Sequence, residues 1–395
     1  MKFITTILLA VLFSHVSFSQ KAVVNEFSAI DKKALLIPQN LTNTTDQIAS
    51  YISSNFRTDL DKSRAAFIWV ASTISYDLEN MYVINFEETS SDRIASTLKT
   101  RKGICENYAA LLNEILNKVG VKSFVVAGYT KQNEAIDQLS HAWNAAYLDG
   151  AWYIFDPTWG SGYVSGNRFT KKINNKFFKV RPEISIKTHM PFDYLWQFLE
   201  YPITNQEFYD SKTQQNKAKV KYNFTEELAT YERQSEVNQL RLAATRVEKN
   251  GVKNALIFER LKYLKLAAEN LQQNLVVTQF NNASASYNEG IAKYNDFINY
   301  RNRQFKLQVS DHEIQNIIDD AARNLEKAKT ILREIPVSDA STTTLVNQLK
   351  IAAEAASNNI LEQKEWLKIY LSKGKIARKS MFYERKLSLF GVPIN

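Results

Sequence analysis

The sequence predicts an α+β domain followed by an all-α helical bundle, and three observations support that prediction. The chain has 395 residues, enough for two or three domains, and 45% of them are hydrophobic, enough for a buried core. Up to about residue 221, apolar patterns of helical period come first and β-branched, aromatic runs follow. From residue 222 those runs vanish, and apolar residues recur with heptad spacing.

The N-terminus is typical of a secretory leader. Lys2 supplies a positive charge, residues 3–13 are largely apolar, and residues 17–19 resemble a cleavage site. We therefore expect a signal peptide over residues 1–19, an irregular segment over residues 20–41, and an exported protein that is periplasmic or secreted. The apolar run is short for a membrane span, so an uncleaved anchor is the less favoured alternative, and we expect no integral span elsewhere.

The predicted α+β domain covers residues 42–221 and begins with helices. A capped helix follows residues 42–46, a second spans residues 60–74, and another segment begins near residue 92. The next helix runs from Cys105 to residue 119, where Gly120 ends it.

The second part of this domain predicts a mainly antiparallel sheet. Residues 123–129 are β-branched and aromatic, as in a strand. Residues 142–148 and 151–155 flank Asp149-Gly150, a strong signal for a two-residue hairpin turn. Residues 177–180 are a candidate for one more strand.

Three apolar stripes define the predicted bundle over residues 222–395. Their alternating steps of three and four residues place each set on one helix face. The sets are Ile257, Leu261, Leu264, Ala268, Leu271 and Leu275; Ile314, Ile318, Ala321, Leu325, Ala328, Leu332 and Ile335; and Val346, Leu349, Ala353, Ala356, Ile360 and Leu367. Breaks near residues 251, 308–311 and 336–341 predict four to six antiparallel helices, which are candidates for self-association or partner binding.

Cys105 is the only cysteine in the chain, so no internal disulfide can form. It lies at the predicted start of a helix, where free backbone N–H groups and the helix dipole stabilise a thiolate. Gly103 would permit the tight turn that leads into this helix. The alternative is a buried, inert cysteine that packs as a small hydrophobe.

A histidine and an aspartate follow in the predicted hairpin. With residues 149–150 as the turn, Trp143 pairs with Asp156, so His141 and Asp156 are diagonal neighbours on one face. A slip of one residue would place them on opposite faces. With Cys105 they predict a thiol triad, in which Cys105 is the nucleophile, His141 the base and acid, and Asp156 the orienting carboxylate.

Other function classes have little support in the sequence. The formal net charge is +9, but it is spread along the chain without a dense basic run or a nucleic-acid motif. There is no Cys/His cluster with metal-ligand spacing. We therefore expect no nucleic-acid partner, no metal and no cofactor.

Several short segments together resemble the transglutaminase-like superfamily of papain-type thiol enzymes, in its bacterial and kyphoscoliosis-peptidase-like branch. The resemblance covers about residues 45–210. The matching segments are residues 64–70 (RAAFIWV), 74–77 (ISYD), 103–109 (GICENYA), 141–144 (HAWN), 152–160 (WYIFDPTWG), 188–191 (THMP) and 196–197 (WQ).

The resemblance implies a papain/transglutaminase-like core of helices packed on an antiparallel sheet, with Cys105, His141 and Asp156 as the triad. It implies acyl transfer at an amide bond of a protein or peptide, cell-wall peptides included, through a thioester that an amine or water resolves. Asn107 departs from the pattern, since relatives often carry glycine there. His189 is interpreted as structural, and no oxyanion donor is assigned.

A second hypothesis keeps the fold without the chemistry. Here the transglutaminase-like module is a non-catalytic scaffold, and the helical bundle binds the partner. The two hypotheses differ in what the sole thiol does: a scaffold does not need Cys105, whereas an enzyme does.

Overall fold

The computed structural model describes residues 26–82, 89–306, 310–336 and 340–383. These residues form two compact units. The larger unit takes the described residues up to Arg233 together with Ala243–Leu261, and the second takes Gln234–Leu242 and the described residues from Lys262 onward.

Helices dominate the first part of the larger unit. In chain order the elements are α1 Ser28–Ala34, α2 Thr45–Asn55, α3 Asp59–Thr73, β1 Ser75–Tyr76, α4 Ser90–Thr100, β2 Lys102–Gly103 and α5 Cys105–Lys118. The side chain of Thr44 accepts a hydrogen bond from the Gln47 N–H and so caps α2, as its sequence predicted. Gly120, at φ +88°, follows the end of α5 in a conformation that suits glycine.

The segment over residues 20–41 was expected to be irregular, and in its described part this is wrong. Helix α1 lies there, and its Asp31 forms a bidentate pair with Arg64 of α3 at 2.6 and 2.7 Å. The Arg64 guanidinium is buried and lies 4.9 Å from the ring centres of Phe27 and Phe178. A buried ion pair therefore holds this helix, and apolar periodicity could not reveal it.

A four-stranded antiparallel sheet follows, in the order β5-β4-β3-β8. In chain order, the elements of this part are β3 Ser123–Gln132, β4 Ala135–Leu148, β5 Ala151–Phe155, α6 Pro157–Ser161, β6 Gly162–Ser165, β7 Arg168–Lys171, α7 Pro182–Ser185, β8 His189–Pro191 and α8 Asn205–Tyr209. Strands β6 and β7 pair with each other in a separate two-stranded sheet. Leu148 pairs with Ala151, which confirms the predicted hairpin and its register. Asp149 and Gly150 both have positive φ, as this turn requires.

The candidate strand over residues 177–180 is not a strand. Phe177 ends a short 3-10 turn, and Val180 makes only an isolated bridge to Ile154 of β5. The aromatic side chains of the segment serve packing instead, since the Phe178 ring lies 5.2 Å from those of Phe67 and Phe155.

Gly128 of β3 decides how closely the neighbouring strands approach. It pairs with His141 of β4 on one side and with Pro191 of β8 on the other. A Cβ at this position would lie 2.2 Å from the Met190 carbonyl oxygen and 2.5 Å from Cη2 of Trp143. Only glycine therefore lets the Trp143 indole lie across β3 while β8 joins the sheet.

Helices α2, α3 and α5 pack against one another and against the hairpin β4–β5. Their shared core contains Ile52, Phe67 and Leu112 from the helices and Ala146 and Phe155 from the strands. This packing fixes the N-terminal end of α5, and with it Cys105, beside the sheet.

Helices make up the rest of the described chain, in agreement with the predicted helical C-terminal region. They are α9 Phe224–Arg233, α10 Glu236–Lys249, α11 Ala255–Asn302, α12 Asp311–Glu334, α13 Ala340–Ser372 and α14 Lys375–Ser380. Ile314, near the start of α12, shares a cluster with Leu367 near the end of α13. Leu332, near the end of α12, shares one with Val346 near the start of α13. These two helices are therefore antiparallel.

The apolar stripes agree with burial on α12 and α13, but on α11 the pattern drifts. Leu275, placed on the apolar face by heptad spacing, is 46% exposed, whereas its neighbour Val276 is 6% exposed. A straight helix has 3.6 residues per turn, so a strict heptad drifts by about 20° per repeat. None of the helices in the described ranges is both long and apolar enough to cross a membrane.

Candidate active site

Cys105 is the first residue of α5, and one residue, Ile104, separates it from β2. Asn107, two residues further on, closes this end of the helix: its Oδ1 accepts the Ile104 N–H at 3.0 Å, and its Nδ2 donates to Thr97 Oγ1 of α4 at 2.8 Å. A Cβ on Gly103 would lie 2.4 Å from Cβ of Asn107, so glycine is needed there. The departure at residue 107 thus has a structural role in holding the helix start that carries the thiol.

The thiol lies beside the strand that carries His141. The Cys105 side chain packs on Ala109 and Ala142, and its Sγ is 4.0 Å from the carbonyl oxygen of Ser140. Cys105 is 8% exposed, so it borders solvent without projecting into it.

His141 and Asp156 form a direct hydrogen bond. His141 Nε2 lies 2.8 Å from Asp156 Oδ2, and the residues are 9% and 1% exposed. This is the diagonal pair that the hairpin register predicted. Since Nε2 is occupied by the carboxylate, Nδ1 is the ring nitrogen that remains for the thiol.

Asp156 accepts four hydrogen bonds. Its Oδ1 caps α6 by accepting the N–H groups of Thr158 at 2.9 Å and Trp159 at 3.0 Å. Its Oδ2 accepts from His141 and, at 3.1 Å, from Nε2 of His189. A buried carboxylate with every acceptor direction filled is held in one orientation.

His189 belongs to this cluster, although sequence reasoning placed it outside. It opens β8, and Thr130 of β3 pairs with it. Its Nδ1 lies 2.8 Å from Oγ1 of Thr188. The available signals were that it is one of three histidines beyond the expected leader and that it lies in the matched segment over residues 188–191.

Aromatic rings seal the two histidines from water. The Trp159 ring centre lies 5.5 Å from that of His141 and 4.7 Å from that of His189. Trp143 lies 5.1 Å from His189 and nearly perpendicular to it. In such a low-dielectric setting the interactions among the charged groups are strong.

Three coupled pKa shifts follow. Burial lowers the pKa of His141, but the charge of Asp156 and hydrogen bonds to Asp156 and Cys105 raise it more, to about 10. Burial raises the pKa of Asp156, but the charge of His141 and the hydrogen bonds from both histidines hold it well below its usual range. Burial and the charge of His141 lower the pKa of His189, which Asp156 only partly offsets. The favoured state is Asp156 ionised, His141 charged and His189 neutral.

Tyr76 is a further neighbour that sequence reasoning did not single out. Tyr76 of β1 pairs with Gly103 of the parallel strand β2, and Gly103 lies two residues before Cys105. Burial and the nearby acidic groups of Cys105 and Asp156 raise the pKa of Tyr76. The phenol therefore stays protonated next to the site. Its signal was the matched segment over residues 74–77.

The cluster also contains residue types that bind metal ions. One ligand-type atom each from His141, Asp156 and His189 lies within 4.8 Å of the others. Both ring Nε2 atoms already bond to the carboxylate, so these buried groups satisfy one another without an ion.

Comparison with known proteins supports the class of the fold. Residues 46–157 match the family model of the transglutaminase-like superfamily. The chain therefore carries a transglutaminase-like domain, within an α+β unit that is followed by helices. The catalytic roles of Cys105, His141 and Asp156 stay a prediction.

Among similar proteins is human kyphoscoliosis peptidase, 32% identical over 171 residues, which are 41% of this chain and 25% of the relative. Another is the Lim and transglutaminase domain protein ltd-1 of Caenorhabditis elegans, 24% identical over 46% of this chain and 27% of the relative. The chain thus spans about a quarter of the length of these relatives. A solved structure of a TGase is 22% identical over 41% of this chain and 40% of its own, with a TM-score of 0.24.

Proposed function

We propose that this protein is an exported thiol enzyme that acts on amide bonds of proteins or peptides by acyl transfer or hydrolysis. The main support is the buried 2.8 Å contact between His141 and Asp156, beside the only thiol of the chain at a helix start. The proposal joins nucleophile, base and orienting carboxylate in the order of action that thiol enzymes use.

The reaction starts from a thiolate–imidazolium pair, which a proton transfer inside the site forms before substrate binds. The thiol proton of Cys105 moves to Nδ1 of His141, because Nε2 is held by Asp156. The raised pKa of His141, about 10, favours the imidazolium at neutral pH. The N–H groups at the start of α5 and the helix dipole stabilise the thiolate that results.

The thiolate then attacks the carbonyl carbon of an amide. The new C–S bond places negative charge on the carbonyl oxygen, and the N–H of Cys105 is a candidate donor to it because the first N–H groups of a helix lack intrahelical acceptors. When the C–N bond breaks, His141 Nδ1–H gives its proton to the leaving amine. The product is a thioester on Cys105.

The second half-reaction decides between the two outcomes. Attack by an amine on the thioester gives a cross-link or amide exchange, and attack by water gives hydrolysis. Both return the thiol, and both need the same first step. The names of the similar proteins include a peptidase and a transglutaminase domain protein. Both hydrolysis and acyl transfer to an amine are therefore proposed.

Export is part of the proposal and rests on the leader over residues 1–19, which lies outside the described residues. N-terminal sequencing of protein recovered from an intact expressing cell tests it. A mature chain that begins at Gln20 supports export, and a chain that retains Met1 contradicts cleavage.

The test of the thiol needs no substrate. The rate of iodoacetamide alkylation is measured against pH for the folded protein and for the same protein unfolded in urea, which supplies an ordinary thiol as the internal reference. Because Cys105 is the sole cysteine, the entire signal belongs to it. We expect the folded protein to react at least about tenfold faster at pH 6, where a free thiol of pKa ~8.5 is protonated.

Turnover is then followed with a fluorescent primary amine and a glutamine-containing protein, and by release of ammonia or peptide. Cys105→Ala should abolish both signals while leaving the urea unfolding curve unchanged. If the folded and unfolded proteins alkylate with the same pH dependence, the enzyme proposal fails and the scaffold hypothesis replaces it.

A further inference from the structure

Two histidines share one carboxylate oxygen in this site. Oδ2 of Asp156 lies 2.8 Å from Nε2 of His141 and 3.1 Å from Nε2 of His189. We propose that His189 is a positioning residue, a permanently neutral second histidine that holds Asp156 for His141 and limits how strongly the carboxylate pulls on it. This inference rests on the proposed function for its catalytic meaning, although its geometry stands without it.

The bonding partners fix the tautomer of His189. A carboxylate only accepts, so Nε2 must carry a hydrogen, and Nδ1 then accepts from the Thr188 hydroxyl at 2.8 Å. The alternative hydrogen-bond acceptor of that hydroxyl, the Ser185 carbonyl oxygen, is farther away at 3.4 Å. The shorter contact therefore favours a neutral ring with its hydrogen on Nε2.

The charged groups around His189 agree with a neutral ring. Asp156 and, more weakly, Asp137 favour a positive charge there, whereas burial and the charge of His141 oppose it. Burial is the largest of these effects, and the pKa of His189 is lowered. Asp156 already faces the imidazolium of His141, and a second imidazolium on His189 would be repelled by that charge.

Packing prevents His189 from taking the place of His141. Its ring is 3% exposed and wedged between Trp143 and Trp159, with centre distances of 5.1 and 4.7 Å. Both of its nitrogens already have partners, so neither is available to the Cys105 thiol. Its action on the reaction must pass through Asp156.

The two hydrogen bonds that share Oδ2 of Asp156 affect the acidity of His141. A donor on Oδ2 stabilises the carboxylate charge and weakens its interaction with the neighbouring imidazolium. Without His189, Asp156 would bind the His141 proton more tightly, and His141 would become a poorer acid toward the leaving amine. Asp156 would also lose one of the four bonds that hold its orientation.

The variants follow from the ring geometry. His189→Phe keeps the ring and removes the donor, whereas His189→Gln keeps an N–H donor near the position of Nε2. His312→Phe is the matched control, because His312 is exposed at the start of α12. Long-range ¹H–¹⁵N NMR of the full mature protein reports tautomer and charge of each ring between pH 5 and 11, and kcat and KM are measured over the same range.

In the wild type we expect His189 to stay neutral with its hydrogen on Nε2 down to pH 5. In His189→Phe, we expect the titration of His141 to move up by roughly one pH unit, the effect of losing one charge-assisted bond at Asp156. We expect kcat to fall about tenfold with KM little changed, and His189→Gln to recover most of both. His312→Phe should change neither.

The inference is overturned if His189 titrates near pH 6.5 like a solvent-exposed ring, carries its hydrogen on Nδ1, or leaves the titration of His141 unmoved when replaced. The wild-type spectrum decides the first two outcomes even if His189→Phe does not fold. Cys105→Ala protein gives the same His189 signals if the inference holds, so an inactive enzyme and a wrong role for His189 are distinguishable.

Discussion

Replacing Asp156 with asparagine tests the site most directly, because it changes two of four hydrogen bonds and one charge. The Oδ1 bonds that cap α6 can survive in the amide. On the other side an NH2 group would face the Nε2 atoms of His141 and His189, both of which donate in the wild type. His141 must then move its hydrogen to Nδ1, where it blocks proton transfer from the thiol.

The magnitude follows from this count. Removing the charge of Asp156 from its buried pair with His141, with the loss of the two charge-assisted bonds at Oδ2, should cost roughly 3–5 kcal/mol of unfolding free energy. With the wrong tautomer, kcat should fall about 10³–10⁴-fold. Without the carboxylate, burial dominates at His141 and its ring becomes neutral, so alkylation of Cys105 at pH 6 should slow by about tenfold or more.

The destabilisation should depend on pH in a defined window. Asp156 has a lowered pKa when folded, so its contribution is present above its unfolded value of 3.8 and is lost as the pH falls. His141 has a raised pKa, so its contribution is complete below 6.5 and is lost as the pH rises toward about 10. The difference between wild type and Asp156→Asn should therefore be largest between about pH 4 and 6.5.

Urea unfolding and alkylation rates at several pH values measure both effects. Asp149→Asn is the matched control: this carboxylate is exposed in the hairpin turn, bonds to Lys179 at 2.9 Å, and has a positive φ that asparagine tolerates. It should change stability by less than about 0.5 kcal/mol. A folded Asp156→Asn protein that alkylates at pH 6 as fast as wild type would refute the reasoning.

Three further tests concern packing, two of them near the site and one on α11 in the second unit. Gly128→Ala puts a methyl group 2.2 Å from a carbonyl oxygen of β8 and should lower the free energy of unfolding, measured in urea, by about 2–4 kcal/mol. Gly374→Ala is the control, since a Cβ there has nothing within 4 Å among the described residues, and it should lower that free energy by less than about 1 kcal/mol. Equal losses would contradict the close approach of β8 to Gly128. Val276→Ala should lower the free energy of unfolding by about 2 kcal/mol and Leu275→Ala by less than about 0.5 kcal/mol. The reverse order would mean that Leu275 is the buried residue, as the heptad spacing predicted. Asn107→Ala should lower the free energy of unfolding by about 1–2 kcal/mol, because both of its hydrogen bonds at the start of α5 are lost. An unchanged urea midpoint would contradict a role for Asn107 in holding that helix start.

The local parts of the site could be predicted because their signals are local. The hairpin turn over residues 149–150 fixes the register, and the register alone brings His141 and Asp156 to one face. The start of α5 after Gly103 places the thiol at a helix N-terminus. Each inference needed only a stretch of chain shorter than about 20 residues and a known period of 2 or 3.6.

The parts that were missed depend on contacts distant in sequence. His189 lies 33 residues from Asp156, on a three-residue strand too short to show a period of its own. Helix α1 has the same explanation, since Asp31 finds its partner Arg64 at a separation of 33 residues. A short strand or a short helix carries almost no intrinsic signal, so tertiary partners decide its structure.

The position that connects fold and chemistry is Gly128, which has no chemistry of its own. It pairs with the strand of His141 on one side and with β8 on the other. Because it lacks a side chain, Trp143 can lie across β3 and cover His189, and β8 can come close enough for His189 to reach Asp156. The charge arrangement of the site, one carboxylate between one charged and one neutral ring, therefore depends on the packing at Gly128, which pairs with His141 through its backbone and places no side chain in the site. Stability and acid–base geometry should be lost together when that packing is changed.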